Sequence, residues 1–329
     1  MNQHIIDSPF FLDVSTVRGH EVARILADPT VLAVLAMGDA LQQHADPRYI
    51  QIPLQYFAAP ILEIWKTNSP VDVGRHGDVS WASNGSLFFG HIELEESPLG
   101  LETCTERIYR QIGEVLHRYA MPAVLRMWTI FDAICEGAGD DERYRRFCVG
   151  RTRGLRFFPH AQFPAATAVG RQDGRRVVQV YWLASRRAGR SLENPRQISA
   201  YHYPRTHGPQ PPSFARAMLA PSPPMRPLFI SGTASIVGHV SMHVDDITGQ
   251  LNEILVNLRA LLQHAHHLHP IIPSWFTSRS YLKVYIRNAR WIPQVHKMLA
   301  RLLPHTPYVI LQATICRKDL LLEIEGIHW

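Results

Sequence analysis

The chain has 329 residues, 46% of them hydrophobic and 19% charged, with a formal net charge of +6; this describes an ordinary globular protein and excludes a disordered or fibrous one. No stretch approaches the roughly 18 apolar residues of a membrane span, and the arginines are scattered over many segments instead of forming a nucleic-acid-binding motif. The length exceeds that of one usual core and predicts two domains or a pseudo-duplicated unit.

The opening residues, MNQHIIDSPFF, have no basic segment followed by a long apolar run, so no export signal is read there. Cys104, Cys135, Cys148 and Cys316 lie far apart without a Cys-x-x-Cys. They read as free thiols of a cytoplasmic protein, not as a disulfide or zinc framework.

In chain order, DVSWASNGSLFFGHIEL (78–94) places Asn84-Gly85 between two apolar-aromatic runs and predicts a tight hairpin. A helix is expected over LETCTERIYRQIGEVLHRYA (101–120), where Leu101, Cys104, Ile108, Ile112, Val115, Leu116 and Tyr119 recur on one face. Met121-Pro122 closes it, and VLRMWTIF (124–131) resumes as a buried strand. RYRRFCVGR (143–151) then sets four arginines around Phe147, Cys148 and Val149. Two readings fit: a pocket wall that holds an anion away from water, or a helix with its basic side in solvent.

The second half repeats strands before helix. ATAVGRQDGRRVVQVYWLAS (166–185) predicts a hairpin around Asp173-Gly174, and RQISAYHYPR (196–205) a further strand. The stretch 204–227 holds eight prolines and reads as a stiff, ordered loop of the kind that is commonly functional. A strand, PLFISGTASIVG, precedes the helix TGQLNEILVNLRALLQHA, with Leu251, Ile254, Leu255, Leu258, Leu261 and Leu262 along one side. Strand YLKVYIR, helix WIPQVHKMLARLL and strands YVILQATI and LLLEIEGI complete the chain. The expected class is α+β, with two lobes (1–150 and 151–329), each a mixed sheet carrying helices on one face.

No phosphate-binding glycine loop, Gly-x-Ser-x-Gly elbow or His-Glu-x-x-His is present. HAHHLH (264–269) ends a helix, where partly cationic imidazoles suit the dipole; with no carboxylate or cysteine nearby, no metal is expected. The last strand is more informative. Period-2 alternation puts Glu323 and Glu325 on one face, Leu322 and Ile324 on the other. Either this is an edge strand with both carboxylates in water, or it lies near the core with a Glu facing a cavity. A carboxyl desolvated there holds its proton near neutral pH and becomes a general-acid candidate.

The final lobe, from TGQLNEILVNLRALLQHA through CRKDLLLEIEG, resembles the RidA (YjgF) fold, whose ending is similar to KD-x-x-x-EIEA. ERYRRFCVGR, NPRQISAYHYPR, PPSFARA and SGTASIVGH together resemble the chorismatase family, enzymes built on RidA-like lobes that cleave pyruvate from chorismate. These blocks run from 142 to 326 in family order, whereas the N-terminal lobe matches only in general plan. The resemblance implies Glu323 as catalytic acid and Tyr144, Arg151, Tyr203 and Arg216 as substrate contacts. It assigns no role to Arg143, Arg145 and Arg146, which are expected on a solvated face. Chorismate is the implied small-molecule partner; cofactor, metal, nucleic acid and membrane are not implied, and the oligomeric state stays open.

Product choice is implied at two positions. Cys316 matches the branches that form 3- and 4-hydroxybenzoate, whereas Ala234 matches the branch that forms a cyclohexadiene diol by hydrolysis. The bifunctional hydroxybenzoate branch is the expectation, with the diol as alternative. A RidA-type imine deaminase would hold its substrate with an arginine before the last strands, where HTPYVILQATI has none. A non-catalytic aromatic-ligand or RNA-binding module would need no carboxyl at 323.

Overall fold

Ten consecutive buried residues, Ala123–Asp132, form the strand about which the first lobe assembles. In the computed structural model, which describes residues 11–19, 21–38, 44–96, 98, 100–160, 162–221 and 226–329, this strand is the second of a six-stranded sheet. The order is Ala165–Arg171, Ala123–Asp132, Val177–Ser185, Leu87–Glu95, Val79–Ser83, Asp72–His76. The opening residues 1–10 and residues 222–225 of the proline-rich stretch lie outside the described residues.

Five α-helices are found among the described residues: α1 (Val22–Leu26), α2 (Gly100–Arg118), α3 (Arg143–Leu155), α4 (Ile247–Leu268) and α5 (Ile292–Leu302). The apolar stripe of α2 packs on the six-stranded sheet, and α3 packs on α2. The two helices approach closely because α3 offers Gly150 and Gly154. A Cβ at 150 would overlap the carbonyl oxygen of Glu102, and one at 154 the Cβ of Tyr109. The Asn84-Gly85 hairpin forms as expected: Asn84 Oδ1 accepts the N–H groups of Ser86 and Leu87, and Gly85 takes φ +82.

Three expectations are corrected. Asp173-Gly174 makes a turn but not a hairpin, because Ala165–Arg171 and Val177–Ser185 lie on opposite sides of the buried strand 123–132 and pair with it instead of with each other. RQISAYHYPR forms no strand. The N–H groups of Gln197, His202 and Tyr203 close local turns, leaving a short 3₁₀ turn at Ala200–His202. The lobe boundary placed between 150 and 151 falls inside α3, and the first sheet continues to Ser185.

The second large sheet has seven strands, in the order Arg190–Leu192, Ala217–Leu219, Leu228–Ala234, Leu322–His328, Tyr281–Ile286, Tyr308–Gln312, Gln55–Tyr56. Helices α4 and α5 cover one face with Leu251, Ile254, Leu258, Leu261, Val295 and Leu299. A four-stranded sheet of Asp13–Arg18, Ile61–Lys66, Val31–Met37 and Tyr49–Gln51, with α1 on its outer side, was not foreseen. The three sheets share one core. Trp65 of the small sheet meets Phe89 and Trp128 of the first and Phe229 of the second, with ring centroids 5.5, 5.8 and 6.4 Å away.

Inside that core lies an ion network. Glu63 pairs with Lys283 at 3.0 Å, Lys283 lies 3.8 Å from Glu325, and Glu325 accepts from Arg126 Nη2 and Trp128 Nε1, each at 2.6 Å. Each sheet contributes at least one member. Removing one partner strands a buried charge, at a cost of about 3–5 kcal/mol. Lys283→Met should therefore lower stability by that order in urea unfolding, and adding Glu63→Gln should recover part of the loss. A double variant no more stable than the single one would mean that lost packing, not stranded charge, is responsible.

Candidate active site

The strand Leu322–His328 is flanked on both sides, so the carboxylates of its inward face are not at an edge. Glu323 stands opposite Ala234 on one neighbour and Tyr285 on the other. The register of Leu228–Ala234 shifts between Ile230 and Thr233, a β-bulge that brings Gly232 under the Glu323 side chain. A Cβ at 232 would overlap Glu323 Oε1, so only glycine permits this approach.

Opposite this bulge runs the edge strand Ala165–Arg171 of the six-stranded sheet. The two sheets are stitched at both ends of the seam. At one end Ala215 N donates to Pro164 O, while Ser231 Oγ accepts from Ala166 N and donates to Ala215 O. At the other, Gly170 and Thr314 exchange backbone hydrogen bonds at 2.7 and 2.9 Å. Between the stitches opens a cavity of about 290 Å³, walled on its remaining sides by α3, the segment 203–216 and residues 316–319. Tyr144, Arg151, Tyr203, Arg216, Ala234, Cys316 and Glu323 all line it.

Arg151 and Arg216 are both buried. Arg151 Nη2 donates to Ser213 O at 2.8 Å; Arg216 Nη2 donates to Ile198 O at 3.0 Å and to the Tyr203 hydroxyl at 2.8 Å. Their guanidinium groups lie against rings, Arg151 against Tyr109 and Phe147, Arg216 against Tyr203 and Phe214. Among the described residues neither is within ion-pair distance of a carboxylate, and each keeps a buried Nε–H without an acceptor. Guanidinium groups presented in this way suit carboxylates supplied from outside the protein.

Glu323 is 5% exposed, and its carboxyl is pushed up to about 8, first by burial and then by the nearby Glu325 charge. Arg126 and Arg216 oppose this without overcoming it. Burial also raises the Cys316 thiol and the Tyr144 phenol, so both enter the site neutral at pH 7. The arrangement can hold a dianion and deliver one proton to it.

The arginines of 143–151 divide. Arg146 is half-exposed and pairs with Glu102 at 3.0 Å, as a solvated face requires. Arg143 instead forms a shielded ion pair with Glu96, and Arg145 lines the cavity. In the 264–269 cluster, His266 Nδ1 lies 2.7 Å from Ile272 O and His269 Nε2 lies 3.3 Å from Arg190.

Sequence reasoning missed Glu142, Thr167, His207, Phe214, Gly232 and Arg317, which also line the cavity. Gly232 carried a signal, a glycine inside a strand run, which often marks close approach. Thr167 carried none, since threonine is common in strands.

Comparison with known proteins places these features in context. The family model described as "Chorismatase FkbO/Hyg5-like, N-terminal" matches residues 63–184. A 3-hydroxybenzoate synthase of Streptomyces hygroscopicus is 34% identical over 284 residues, covering 82% of each chain. A chorismatase of the same organism is 34% identical over 280 residues, covering 80% of this chain and 78% of its own. A chorismatase crystal structure superposes with a TM-score of 0.85 at 28% identity, over 98% of this chain and 99% of the other. The α+β expectation, mixed sheets with helices packed on one face, agrees with that solved structure.

The buried carboxyl has a consequence for stability. Its folded pKa, about 8, lies above the ordinary value of 4.5, so between these values the folded state binds more protons than the unfolded state. The contribution of Glu323 to stability is then full at low pH and declines as pH rises towards 8. Urea unfolding between pH 5 and 9 should show the wild type losing stability relative to Glu323→Gln as pH increases. A pH-independent difference would place the Glu323 pKa in its ordinary range.

Proposed function

The chain belongs to the chorismatase family, and we propose that it cleaves chorismate into pyruvate and 3-hydroxybenzoate, with 4-hydroxybenzoate as an accompanying product and Glu323 as the proton donor. The observation that carries this reading is the pairing, in one cavity, of a carboxyl held protonated near neutrality with two buried arginines that form no ion pair among the described residues. Chorismate is a dicarboxylate with an apolar ring, and it meets both features. The names of the relatives, 3-hydroxybenzoate synthase and chorismatase, support chorismate as substrate and 3-hydroxybenzoate as product.

In this mechanism Arg151 and Arg216 take the substrate carboxylates, while Tyr144, Tyr203 and Phe214 flank the ring. Arg216 lies near enough to act on the Glu323 charge, which assigns it the carboxylate at the reacting end. Glu323 then protonates the methylene carbon of the enolpyruvyl ether and becomes a carboxylate. An oxocarbenium-like centre results. Capture by the ring's 4-hydroxyl leads to 3-hydroxybenzoate, and loss of a ring proton with pyruvate leads to 4-hydroxybenzoate; neither consumes water. Attack by water instead gives the cyclohexadiene diol.

These routes share the first proton transfer, so their ratio depends on small differences afterwards; about 1.4 kcal/mol changes a ratio tenfold. Ala234 is the cross-strand neighbour of Glu323 and Cys316 lines the same cavity, so both are placed to tune it. A cyclohexadiene diol as main product would favour the hydrolytic branch, with which Ala234 agrees.

Incubation with chorismate should release pyruvate together with hydroxybenzoates, read by chromatography; no pyruvate would refute the assignment. Glu323→Gln should reduce turnover by roughly 10²–10⁴, and wild-type kcat/KM should fall as pH rises above about 8, where Glu323 loses its proton.

The clamp and the product selector are tested separately. Arg151→Ala and Arg216→Ala should each weaken binding of a dicarboxylate analogue by about 1.5–3 kcal/mol. The half-exposed Arg146→Ala should change it little; equal effects at all three would place the clamp elsewhere. Ala234→Gly should shift the ratio of 3- to 4-hydroxybenzoate more than total pyruvate. A proportional fall in all products would reduce residue 234 to a packing role.

A further inference from the structure

Thr167 sits in the edge strand Ala165–Arg171, buried, and lines the cavity. Its hydroxyl oxygen accepts two hydrogen bonds, from Arg126 Nη2 at 2.6 Å and from the Gly232 backbone N–H at 3.0 Å. A hydroxyl has two lone pairs and one proton. Both lone pairs are engaged, so the O–H must point along a remaining direction, and among the described residues no protein acceptor receives it. Arg126 cannot turn away from this role, since the same Nη2 also donates to Glu325 at 2.6 Å. The β-branched side chain has few rotamers with which to escape.

Gly232 locates the end of the cavity that this proton serves. Its N–H lies on Thr167, and its missing side chain makes room for the carboxyl of Glu323. Thr167 and Glu323 therefore address the same end of a bound ligand. On the enolpyruvyl ether, the methylene carbon that receives the proton and the side-chain carboxylate share one carbon neighbour, and the carboxylate is the strongest acceptor there.

Resting on the reading of the site as a chorismatase centre, we infer that the Thr167 hydroxyl, locked by Arg126 and Gly232, donates to the enolpyruvyl carboxylate and holds the methylene carbon against Glu323. Thr167 is then a determinant of specificity for substrates that carry this second carboxylate. Arg126 and Glu325 act through it as positioning residues.

The test compares two aromatic ethers by isothermal titration calorimetry: 3-(carboxymethoxy)benzoate, which carries a side-chain carboxylate, and 3-methoxybenzoate, which lacks it. Thr167→Val should weaken the first by about ten- to a hundredfold and leave the second within about twofold, and Thr167→Ser should restore wild-type affinity for both. If Thr167→Val fails to melt cooperatively, Thr167→Ala is judged by the same comparison. Equal loss for both ligands means a structural role and overturns the inference; so does unchanged binding of both, or a failure of Thr167→Ser to restore. Pyruvate release by the wild type tests the underlying reading independently. Should the wild type turn over chorismate while Thr167→Val binds both ethers normally, the inference fails alone.

Discussion

The molecule depends on a charge chain that it buries at the junction of its three larger sheets. Glu63, Lys283, Glu325 and Arg126 come from three separate sheets and lie in a core of tryptophan and phenylalanine rings. Taking such ions out of water costs several kcal/mol each, and apolar residues of similar volume are often at least as stable. What the chain provides is placement. The Glu63–Lys283 and Arg126–Glu325 pairs each cross a boundary between sheets, and Lys283 and Glu325 face each other on adjacent strands of one sheet, so a sheet that slipped by one residue would leave charges without partners. Glu325 is thereby fixed, and with it Glu323, two residues away on the same face of the same strand.

The two carboxyls illustrate how neighbouring identical groups come to differ. Glu325 has a guanidinium and an indole N–H within 2.6 Å, whereas Glu323 faces the cavity and makes no ion pair among the described residues. Burial raises the pKa of the second, and charge on the first adds to the shift. Separation of two titratable groups by their surroundings is a general route to an acid that works near neutrality. The same guanidinium also reaches Thr167, so one arginine serves both the structural network and the wall of the site.

Much of this was legible where a signal is local. Alternation in LLLEIEGI put both glutamates on one face, while RYRRFCVGR left a pocket wall and a helix with a solvated basic side both open, and α3 combines them, burying Phe147, Cys148 and Arg151 and leaving Arg146 half-exposed. Resemblance gathered seven residues that the fold brings to one cavity. What failed depended on partners distant in sequence. Asp173-Gly174 has the chemistry of a hairpin turn, but strand 123–132 was a better neighbour for both flanking segments. RQISAYHYPR looks extended, but the N–H groups of Gln197, His202 and Tyr203 close local turns, and Arg196 and Ile198 pair with Gly238 instead of with a strand. The four-stranded sheet draws together strands spread from 13 to 66, and the buried charge of Arg126 within VLRMWTIF acquires meaning from Glu325, 199 residues away.

The location of the cavity follows from an incomplete union of two sheets. The edge strand Ala165–Arg171 has a free side, and the usual remedy for such an edge is to pair it or cover it. Here it is paired with the neighbouring lobe only at its ends, through Pro164–Ala215 and Gly170–Thr314. In between, side chains stand in for the ladder: Ser231 accepts the Ala166 N–H, and Thr167 accepts the Gly232 N–H. A continuous ladder would close the gap to the spacing of adjacent strands, under 5 Å, and leave no room for a ring. Substitution by hydroxyl side chains keeps the buried backbone satisfied while holding the sheets apart, and it leaves hydroxyl groups in the wall. The opening that admits a ligand and the polar groups that orient it thus arise from the same interruption, and the bulge at Gly232 places the acid beside them.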